Sequence, residues 1–335
     1  MILVTGGCGY IGSHFFIKLI EEGYEAIIVD NFSNSSPDII EKIDQITNTN
    51  NIIIDGDVRD INILERIFFE NHISSVVHFA GLKSVLDSIE KPLDYYSANV
   101  TGSINLIKAM KKFEIKNIIF SSSATVYGTN HDLPWSEDLY LSMPNNPYAQ
   151  SKWIVEEVLK NISISEKNWN IGILRYFNPI GFHKSGLIGE NINNRVGNLI
   201  PSIIRVLSGK SQYLEIFGDD YNTIDGTGVR DYLHINDLLD GHLKAMNYIN
   251  TNKGFNIWNL GAGKGYSVLE ILQTFESLTG EKIPYKIRQR RRGDISEYWA
   301  DTSKAKNELK WKTNNDIEQM INDTLTYIDN LKFNS

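Results

Sequence analysis

Tyr148 and Lys152 lie four residues apart in the segment NNPYAQSK, which spans residues 145–152. Asn146 can cap a helix and Pro147 suits its first position, so the segment predicts a helix start. Residues four apart share a helix face, which places the phenol beside the ammonium. A phenol with a pKa of about 10 is a poor base at neutral pH, but a nearby positive charge stabilises the phenolate and lowers that pKa. The pair is a candidate acid–base centre.

Ser123 is a candidate partner for this pair. It follows Ser121 and Ser122 at the end of a strand predicted over residues 118–120. Ligands of open parallel sheets bind at the carboxyl ends of the strands, so the Ser123 hydroxyl is placed to hold a reacting oxygen. A Tyr and a Lys four apart arise often by chance, and the elements around them must decide whether the pair does chemistry.

The first 20 residues, MILVTGGCGYIGSHFFIKLI, predict the element that would supply a cofactor. Residues 1–4 are a continuous apolar run, typical of a strand buried in a parallel sheet, and apolar residues recur at helical spacing after residue 13. The turn between strand and helix contains Gly6, Gly7, Gly9 and Gly12. Glycine lets an anion approach the backbone, and the N–H groups of a helix start favour negative charge. This order predicts a pyrophosphate site.

Asp30 ends the second predicted strand, 18 residues after Gly12. At this distance a dinucleotide fold places a carboxylate against the adenosine ribose hydroxyls. The carboxylate would repel a 2′-phosphate, so NAD is favoured over NADP. A glycine turn kept only for packing is the alternative, but the strand, the helix and the acid favour a bound dinucleotide. Its positive nicotinamide ring would add to the stabilisation of a Tyr148 phenolate.

Two more predicted strand ends carry residues suited to the same cofactor. Asp57 and Val58 are placed to touch an adenine edge, although an exposed turn aspartate is the alternative. After the strand at 75–79, Ala80 and Gly81 let the cofactor pass close to the backbone. Lys83 could meet a phosphate or ribose oxygen, or simply be solvated.

Strand and helix patterns alternate through the first half, which predicts an α/β fold with a Rossmann-type, doubly wound parallel sheet. With 335 residues the chain can also form a smaller C-terminal α/β substrate domain. We predict a nucleotide-binding domain over 1–177 and a substrate domain over 178–335. The segment at about 231–262 is expected to return to the first domain, because residues 255–260 read as a strand.

Composition narrows the class of protein. The chain is 41% hydrophobic and 22% charged with a net charge of −8, as in globular proteins, and its acidic balance argues against nucleic acid as a partner. Cys8 is the single cysteine, which excludes an internal disulfide and suits a reducing compartment. With no charged leader and no apolar stretch of about 18 residues, we expect a cytoplasmic enzyme with no membrane partner. No metal site is predicted.

Motifs along the chain resemble those of the UDP-glucose 4-epimerase family of extended short-chain dehydrogenases/reductases. They are GGCGYIGSH, HFAGLKSV, SSSATVYG, NPYAQSK, RYFNPIG, FGDDY, DGTGVRDYLH, NLGAG and YWAD. The resemblance implies a UDP-hexose substrate, galactose metabolism and a reaction without net redox change. Tyr148 takes the proton of the hexose 4-OH, Ser123 holds that oxygen, and Lys152 bridges the nicotinamide ribose. The C4 hydride passes to NAD, the keto sugar turns over, and the same hydride returns to its other face.

The resemblance also completes the expected sites. Tyr176 and Phe177 border the nicotinamide, and the full expected cofactor set is Gly6, Gly9, Tyr10, Ile11, Gly12, Asp30, Asn31, Ser33, Asn34, Ser35, Asp57, Val58, Phe79, Ala80, Gly81, Lys83, Ser121, Tyr148, Lys152, Tyr176 and Phe177. A helix start at Asn198 and Leu199 can face a phosphate. The expected substrate set is Lys83, Ser123, Tyr148, Phe177, Asn178, Asn198, Leu199, Phe217, Arg230, Arg291, Asp294 and Tyr298.

Tyr298 bears on the choice of sugar. By resemblance, a bulky residue here crowds the space that a 2-N-acetyl group needs, so UDP-glucose and UDP-galactose are expected as substrates. Two positions depart from the family pattern: Ala98 replaces an asparagine of some members, and Arg292 adds a third cation before Gly293 and Asp294.

Three other functions remain as alternatives. A nucleotide-sugar 4,6-dehydratase would need an Asp-Glu pair after Thr125, where this chain has none. A redox-sensing NAD module without catalysis is disfavoured by the intact serine, tyrosine and lysine. A C4 epimerase of another UDP-sugar, an N-acetylhexosamine, pentose or uronate, stays open. By family analogy we expect a homodimer through helices near 95–110 and 151–160, whose apolar faces could equally be core.

Overall fold

A computed structural model describes residues 1–128, 131–141, 143–190, 198–291 and 294–333, with side chains up to residue 330. Arg292, the extra cation of the sequence, lies outside the described residues. The strands are β1 (Ile2–Thr5), β2 (Ala26–Asp30), β3 (Ile53–Asp55), β4 (Ser75–His78), β5 (Asn117–Ser123), β6 (Asn170–Tyr176), β7 (Asn178–Ile180), β8 (Leu214–Phe217), β9 (Val229–His234), β10 (Gly254–Leu260), β11 (Gly265–Ser267), β12 (Tyr285–Arg288) and β13 (Glu297–Tyr298).

The α-helices lie between and after these strands. They are α1 (Tyr10–Glu21), α2 (Ile39–Thr47), α3 (Ile61–Glu70), α4 (Val85–Glu90), α5 (Pro92–Tyr95), α6 (Gly102–Lys112), α7 (Pro147–Ser165), α8 (Leu199–Leu207), α9 (Ile235–Thr251), α10 (Val268–Thr279), α11 (Ser303–Glu308) and α12 (Ile317–Phe333). A π-helix (Tyr96–Thr101) joins α5 to α6, and a 3₁₀ turn (Ala124–Tyr127) follows β5.

A seven-stranded sheet organises the first part of the chain. Its order is β10-β6-β5-β4-β1-β2-β3, and the pairs from β3 to β6 are parallel. All residues of β1 and β4 are buried, because helices cover both faces of the sheet. The strand order reverses between β1 and β4, which is where ligands bind in such sheets. The predicted α/β Rossmann-type fold is confirmed.

Local sequence explains where the helix of the acid–base pair begins. Asn146 caps α7, its side chain accepting the Ala149 N–H at 2.9 Å, and Pro147 takes the first position. The prediction of a helix start at this point is confirmed. The sequence over residues 92–110 predicts a single α-helix, but the structure has a π-helix between α5 and α6. The carbonyl of Asn99 in this π-helix accepts a hydrogen bond from the Ser103 hydroxyl. Wide turns of this kind occur often at functional sites.

The chain forms two compact units. The first consists of the described residues of Met1–Gly128, Tyr140–Tyr176 and Leu239–Trp258. The second consists of the described residues of Thr129–Leu139, Phe177–Leu238 and Asn259–Ser335. Leu239–Trp258 lies within the segment expected to return to the first domain. The short segment before residue 140 joins the second unit because Trp135 pairs with Ala300 in a parallel bridge.

Each unit has its own hydrophobic core. In the first, buried residues of the sheet such as Leu3, Val76 and Ile118 pack with Leu106 and Leu159 of the helices. In the second, a sheet of β11, β9 and β13, with β7 beside β9, accompanies the parallel pair β8 and β12. Its core includes Ile203 and Phe275. Within the described residues, no helix is long and apolar enough to span a membrane.

The glycine turn after β1 is closely packed backbone against backbone. Gly6 has a φ of +68°, which favours glycine, and a Cβ there would lie 2.6 Å from the Ala80 nitrogen. A Cβ on Gly12 would lie 2.2 Å from the Gly6 carbonyl oxygen, whereas one on Gly9 would lie 3.3 Å from the same oxygen. The start of α1 therefore touches the turn it follows.

Gly12→Ala should lower the free energy of unfolding by about 2 kcal/mol, because a backbone atom must move to admit the methyl group. Gly9→Ala is the matched control, since Gly9 has a φ of −73° and ψ of 173°, which any residue adopts. Gly9→Ala should lower the free energy of unfolding by less than about 1 kcal/mol. Thermal unfolding of both variants measures the difference, and equal midpoints would show that the turn relaxes freely.

Candidate active site

Lys152 is anchored in the first unit at the carboxyl end of β5. Its side chain is buried, and Nζ donates a hydrogen bond of 2.8 Å to the carbonyl oxygen of Ser121. Burial lowers the pKa of Lys152 to about 8, against the opposing effect of the Glu156 carboxylate. The ammonium also lies 5.0 Å from the centre of the Phe120 ring. A buried cation is thus held at the edge of the sheet where ligands bind.

Tyr148 lies one turn before Lys152 in α7 and is half-buried. Its backbone carbonyl accepts the Ser151 hydroxyl at 2.7 Å, and its phenol is close enough to Tyr95 and Tyr176 to influence their pKa values. Ser123 ends β5, and α7 packs against this strand. The three residues expected to act together therefore come from two elements in contact.

The Ser123 hydroxyl is oriented by the turn that follows it. Its oxygen accepts the Thr125 N–H at 3.2 Å and the Thr125 hydroxyl at 2.9 Å. Because a hydroxyl has one proton to donate, these bonds direct the Ser123 O–H to another acceptor. A substrate oxygen is such an acceptor.

Asp30 is held in place by the glycine turn and by the loop after β2. Its buried carboxylate accepts the N–H of Cys8 at 2.9 Å, the N–H of Phe32 at 2.8 Å and the Ser35 hydroxyl at 3.3 Å. The nearby predicted cofactor residues Asn31, Ser33 and Asn34 are exposed. Burial and the Asp30 charge raise the pKa of the Cys8 thiol, which stays protonated. This end of the sheet carries a fixed negative charge beside the glycines.

Asp57 has a neighbour that sequence patterns do not reveal. Arg59 contacts both of its carboxylate oxygens, at 2.9 Å from Nε and 2.6 Å from Nη2, and Asn31 donates to it at 2.8 Å. Arg59 holds the pKa of Asp57 low, at about 2. Val58 beside it is buried. The carboxylate is thus ionised and oriented.

The loop after β4 lies against Lys152. A Cβ on Gly81 would lie 3.7 Å from Lys152 Nζ and 2.9 Å from Asn99 Oδ1. Asn99, which is not among the predicted site residues, accepts the Leu82 N–H at 2.7 Å and donates to the Ser151 hydroxyl at 2.8 Å. It therefore connects this loop to the helix that carries the acid–base pair.

Other predicted cofactor residues lie around the same edge. Lys83 Nζ is 5.9 Å from the centre of the Tyr10 ring, and the Ala80 N–H donates to the Thr5 hydroxyl at 3.3 Å. The Tyr176 hydroxyl and His242 Nε2 share a short hydrogen bond. The centre of the His242 ring lies 5.0 Å from that of the Phe79 ring. Ile11 and Gly12 lie in the first turn of α1. The structure brings these residues together within the first unit.

A buried histidine lies beneath this loop. His78 bonds to the Thr5 hydroxyl at 2.6 Å and to the Ser103 hydroxyl at 2.8 Å. Burial, with a contribution from the Lys152 charge, lowers the pKa of His78 to about 3. The ring is therefore neutral in the folded protein at any pH near 7. It joins β1, β4 and α6 below the predicted cofactor site.

The second unit gathers the predicted aromatic residues of the substrate site. Tyr298 stacks on Trp135, with ring centres 4.9 Å apart and planes within 5°, and lies 6.0 Å from Phe177. Its hydroxyl lies 3.4 Å from Asn178 Oδ1. Arg230 lies 4.8 Å from the ring centre of Tyr298. Trp135 is not among the predicted residues, since a tryptophan in a loop carries no periodic signal.

The predicted charged residues of the second unit also meet. Arg230 forms an ion pair with Asp294, and the guanidinium of Arg291 lies 3.9 Å from the centre of the Phe217 ring. Burial lowers the pKa of Arg291. Asn198 precedes the first residue of α8, Leu199, as predicted. Two guanidinium groups beside aromatic rings form a surface suited to a diphosphate and a planar base.

Comparison with known proteins decides the family. A family model described as GDP-mannose 4,6 dehydratase matches residues 3–324. A UDP-glucose 4-epimerase of Pasteurella multocida (strain Pm70) is 49% identical over 323 residues, which are 96% of each chain. The chain belongs to the UDP-glucose 4-epimerase family. The resemblance seen in the motifs is confirmed.

Solved structures of epimerases have the same fold. One is the UDP-glucose 4-epimerase of Bifidobacterium longum in complex with NAD⁺ and UDP, with a TM-score of 0.94, 46% identity and coverage of 98% of both chains. Another, from Stenotrophomonas maltophila with NAD and a formylated UDP-arabinopyranose, has a TM-score of 0.96 and 40% identity, and covers 100% of this chain and 99% of that chain. Among the described residues, no group of His, Cys, Asp or Glu is placed to hold a metal ion.

His78 should make this family member less stable at low pH. Its folded pKa lies below the ordinary value, so between pH 6.5 and 3 the unfolded chain binds the extra proton and stability falls as the pH falls. From pH 7 to pH 5 the wild type should lose about 2 kcal/mol more unfolding free energy than His78→Gln, which cannot titrate.

Urea unfolding of both proteins at the two pH values measures this difference. Equal losses in wild type and variant would show that the ring is protonated in the folded protein.

Proposed function

We propose that this protein interconverts UDP-glucose and UDP-galactose by inversion at C4, with tightly bound NAD as the cofactor and a transient 4-keto sugar as the intermediate. This is the activity of EC 5.1.3.2 type and a step of galactose metabolism. Membership of the UDP-glucose 4-epimerase family supports it. The single observation that carries it is the buried Lys152 ammonium, anchored at the end of β5 one helical turn from Tyr148.

The residues of the first unit fit NAD. The glycine turn allows a pyrophosphate to approach the backbone N–H groups at the start of α1, and the oriented Asp30 carboxylate suits ribose hydroxyls rather than a 2′-phosphate. When bound, NAD would accept and return the hydride of C4. The turn of Gly6, Gly9 and Gly12 would hold its pyrophosphate. Asp30 would hold its adenosine ribose and Lys152 its nicotinamide ribose.

Tyr148 and Ser123 would handle the proton. The Lys152 ammonium favours the phenolate of Tyr148, which takes the proton from the hexose 4-OH and later returns it. Ser123 would donate its remaining hydrogen bond to the same oxygen. Above a pH of about 8 the lysine loses its charge, and this stabilisation of the phenolate weakens.

The second unit would bind the nucleotide part of the substrate. Arg230 and Arg291 carry the positive charge for the diphosphate, Phe217 lies beside Arg291 to receive the uracil, and Asp294 would accept from the ribose hydroxyls. Asn178, and the start of α8 at Asn198 and Leu199, would add donors to the phosphates. Binding energy from these remote groups can leave the hexose loosely held while it turns over.

We further propose a homodimer in the cytoplasm. Exposed apolar side chains precede the helix expected at the interface, among them Ile89 and Leu93, which are 56% and 81% exposed. A second copy packing through the helices at 95–110 and 151–160 would cover such residues. The single cysteine, Cys8, suits a reducing compartment.

The purified protein, incubated with UDP-galactose and no added NAD, should form UDP-glucose. Tyr148→Phe removes the proton acceptor, so turnover should fall by about 10³-fold or more while bound NAD is retained. Chromatography of the sugar nucleotides, with release of NAD on denaturation, measures both. An active Tyr148→Phe variant would remove Tyr148 from the proposed chemistry, and an inactive wild type would contradict the proposed function itself.

Tyr298→Cys should admit UDP-N-acetylglucosamine, because it removes the bulky ring that Trp135 and Arg230 keep in place. The ratio of kcat/KM for UDP-N-acetylglucosamine to that for UDP-glucose should rise by about 10-fold or more. Tyr298→Phe keeps the ring and should leave the ratio unchanged. No gain with cysteine would rule out the steric explanation of substrate choice.

A further inference from the structure

Glu156 and Arg175 form a buried ion pair behind the acid–base residues. Arg175 donates from Nη2 to Oε2 of Glu156 at 2.7 Å and from Nε to Oε1 at 3.1 Å. Only 2% of the Arg175 side chain and 3% of the Glu156 side chain are exposed. The Ser122 hydroxyl donates a further short hydrogen bond to Glu156 Oε1. None of the proposed chemical steps uses these groups.

The pair joins every element that carries the acid–base residues. Glu156 lies on α7, one turn after Lys152, and Arg175 lies on β6 directly opposite Ser122 of β5. The guanidinium of Arg175 also lies 4.8 Å from the ring centre of Tyr127, which ends the turn that follows Ser123. Ser122 lies between Ser121 and Ser123 in β5. The carbonyl of Ser121 accepts the hydrogen bond from Lys152.

We propose that Glu156 and Arg175 are positioning residues that set the spacing between Ser123 on β5 and the Tyr148–Lys152 pair on α7. This inference rests on the proposed function. The two carboxylate oxygens receive donors from β5 and β6, so α7 can neither slide along nor rotate away from the sheet without breaking several charged hydrogen bonds. The contact of the Arg175 guanidinium with the Tyr127 ring links the pair to the turn that follows Ser123.

Stability alone is a weak explanation for this pair. Removing two charges from water is costly, and replacing a buried ion pair by apolar groups of similar size is often neutral or stabilising. A bidentate guanidinium–carboxylate pair does fix the relative orientation of the elements that carry it, because its geometry is planar. A small displacement of reacting groups can slow a reaction strongly, so a pair that fixes the orientation of α7 relative to the sheet can support catalysis.

The ionisable groups near Tyr148 and Lys152 determine the pKa at which the Tyr148 phenol titrates. Lys152 is influenced by Glu156 of the same helix and itself influences His78 of β4. The phenol of Tyr148 faces Tyr95 and Tyr176. Replacing both members of the ion pair changes no net charge, but it also removes the Glu156 carboxylate that favours the Lys152 ammonium. Arg175→Lys keeps that carboxylate and every charge, so a shift of the Tyr148 pKa in this variant reports a change in its distance from Lys152.

The test is the double variant Glu156→Gln with Arg175→Met, compared with wild type. We expect an unchanged thermal midpoint and unchanged NAD content, kcat for UDP-galactose lower by about 30-fold, and KM within about threefold. The Tyr148 phenolate absorbance, taken as the difference from the same protein with Tyr148→Phe, should titrate at a pKa higher by about one unit. The control Glu65→Gln with Lys112→Met removes a surface ion pair, in which the Lys112 and Glu65 side chains are 58% and 29% exposed, and should match wild type.

A folded double variant with wild-type kcat and wild-type phenol titration would overturn the proposal. If the double variant does not fold, Arg175→Lys decides, because it keeps the charge and loses the planar fork. It should fold and show kcat lower by about 10-fold, and a wild-type kcat in this variant would equally overturn the proposal. The phenol titration does not require turnover, so an inactive wild type would contradict the proposed function while leaving this inference testable.

Discussion

The hydrogen bond from the buried Lys152 ammonium to the Ser121 carbonyl is the constraint on which the first unit depends. An ammonium removed from water is unfavourable unless donors and charges around it compensate, and burial here brings the lysine pKa to about 8. The carbonyl at the end of β5 and the Glu156 carboxylate provide that compensation. The sheet therefore sets the pKa of the lysine that we propose as the group stabilising the Tyr148 phenolate.

A chain of hydrogen bonds connects this lysine region to the glycine turn. Thr5 of β1 bonds to His78 of β4, His78 bonds to Ser103 of α6, and Ser103 bonds to the carbonyl of Asn99. Asn99 continues to Ser151, which donates to the carbonyl of Tyr148. Each donor and acceptor in this buried chain is satisfied by the next, which favours one arrangement of the strand ends.

The second unit uses a different principle. Its predicted site residues combine charge with aromatic surface. Arg230 lies beside Tyr298 and Arg291 beside Phe217, all four partly exposed, and the buried Trp135 stacks on Tyr298. Such surfaces can bind a planar base and a diphosphate by stacking and charge. Such a surface suits the proposed reaction, in which the nucleotide is held firmly while the hexose moves.

The sequence by itself determined the features that depend on neighbouring residues. The strand, glycine turn and helix at the N-terminus, the Asn146 cap with Pro147, and the alternation that predicts a parallel sheet are all local patterns. They sufficed for the fold class and for the positions of Tyr148 and Lys152 on one helix. Motifs spread over the chain sufficed for the family.

The tertiary structure alone decided which distant residues complete the site. Arg175 meets Glu156 across 19 residues, Asn99 meets Ser151 across 52, and Trp135 stacks on Tyr298 in a unit assembled from separate segments. The π-helix within residues 92–110 was also not predictable from local sequence, because its residue Asn99 bonds to Leu82 in a separate loop. Such contacts depend on strand order and on packing between elements, and no local pattern of residues encodes either.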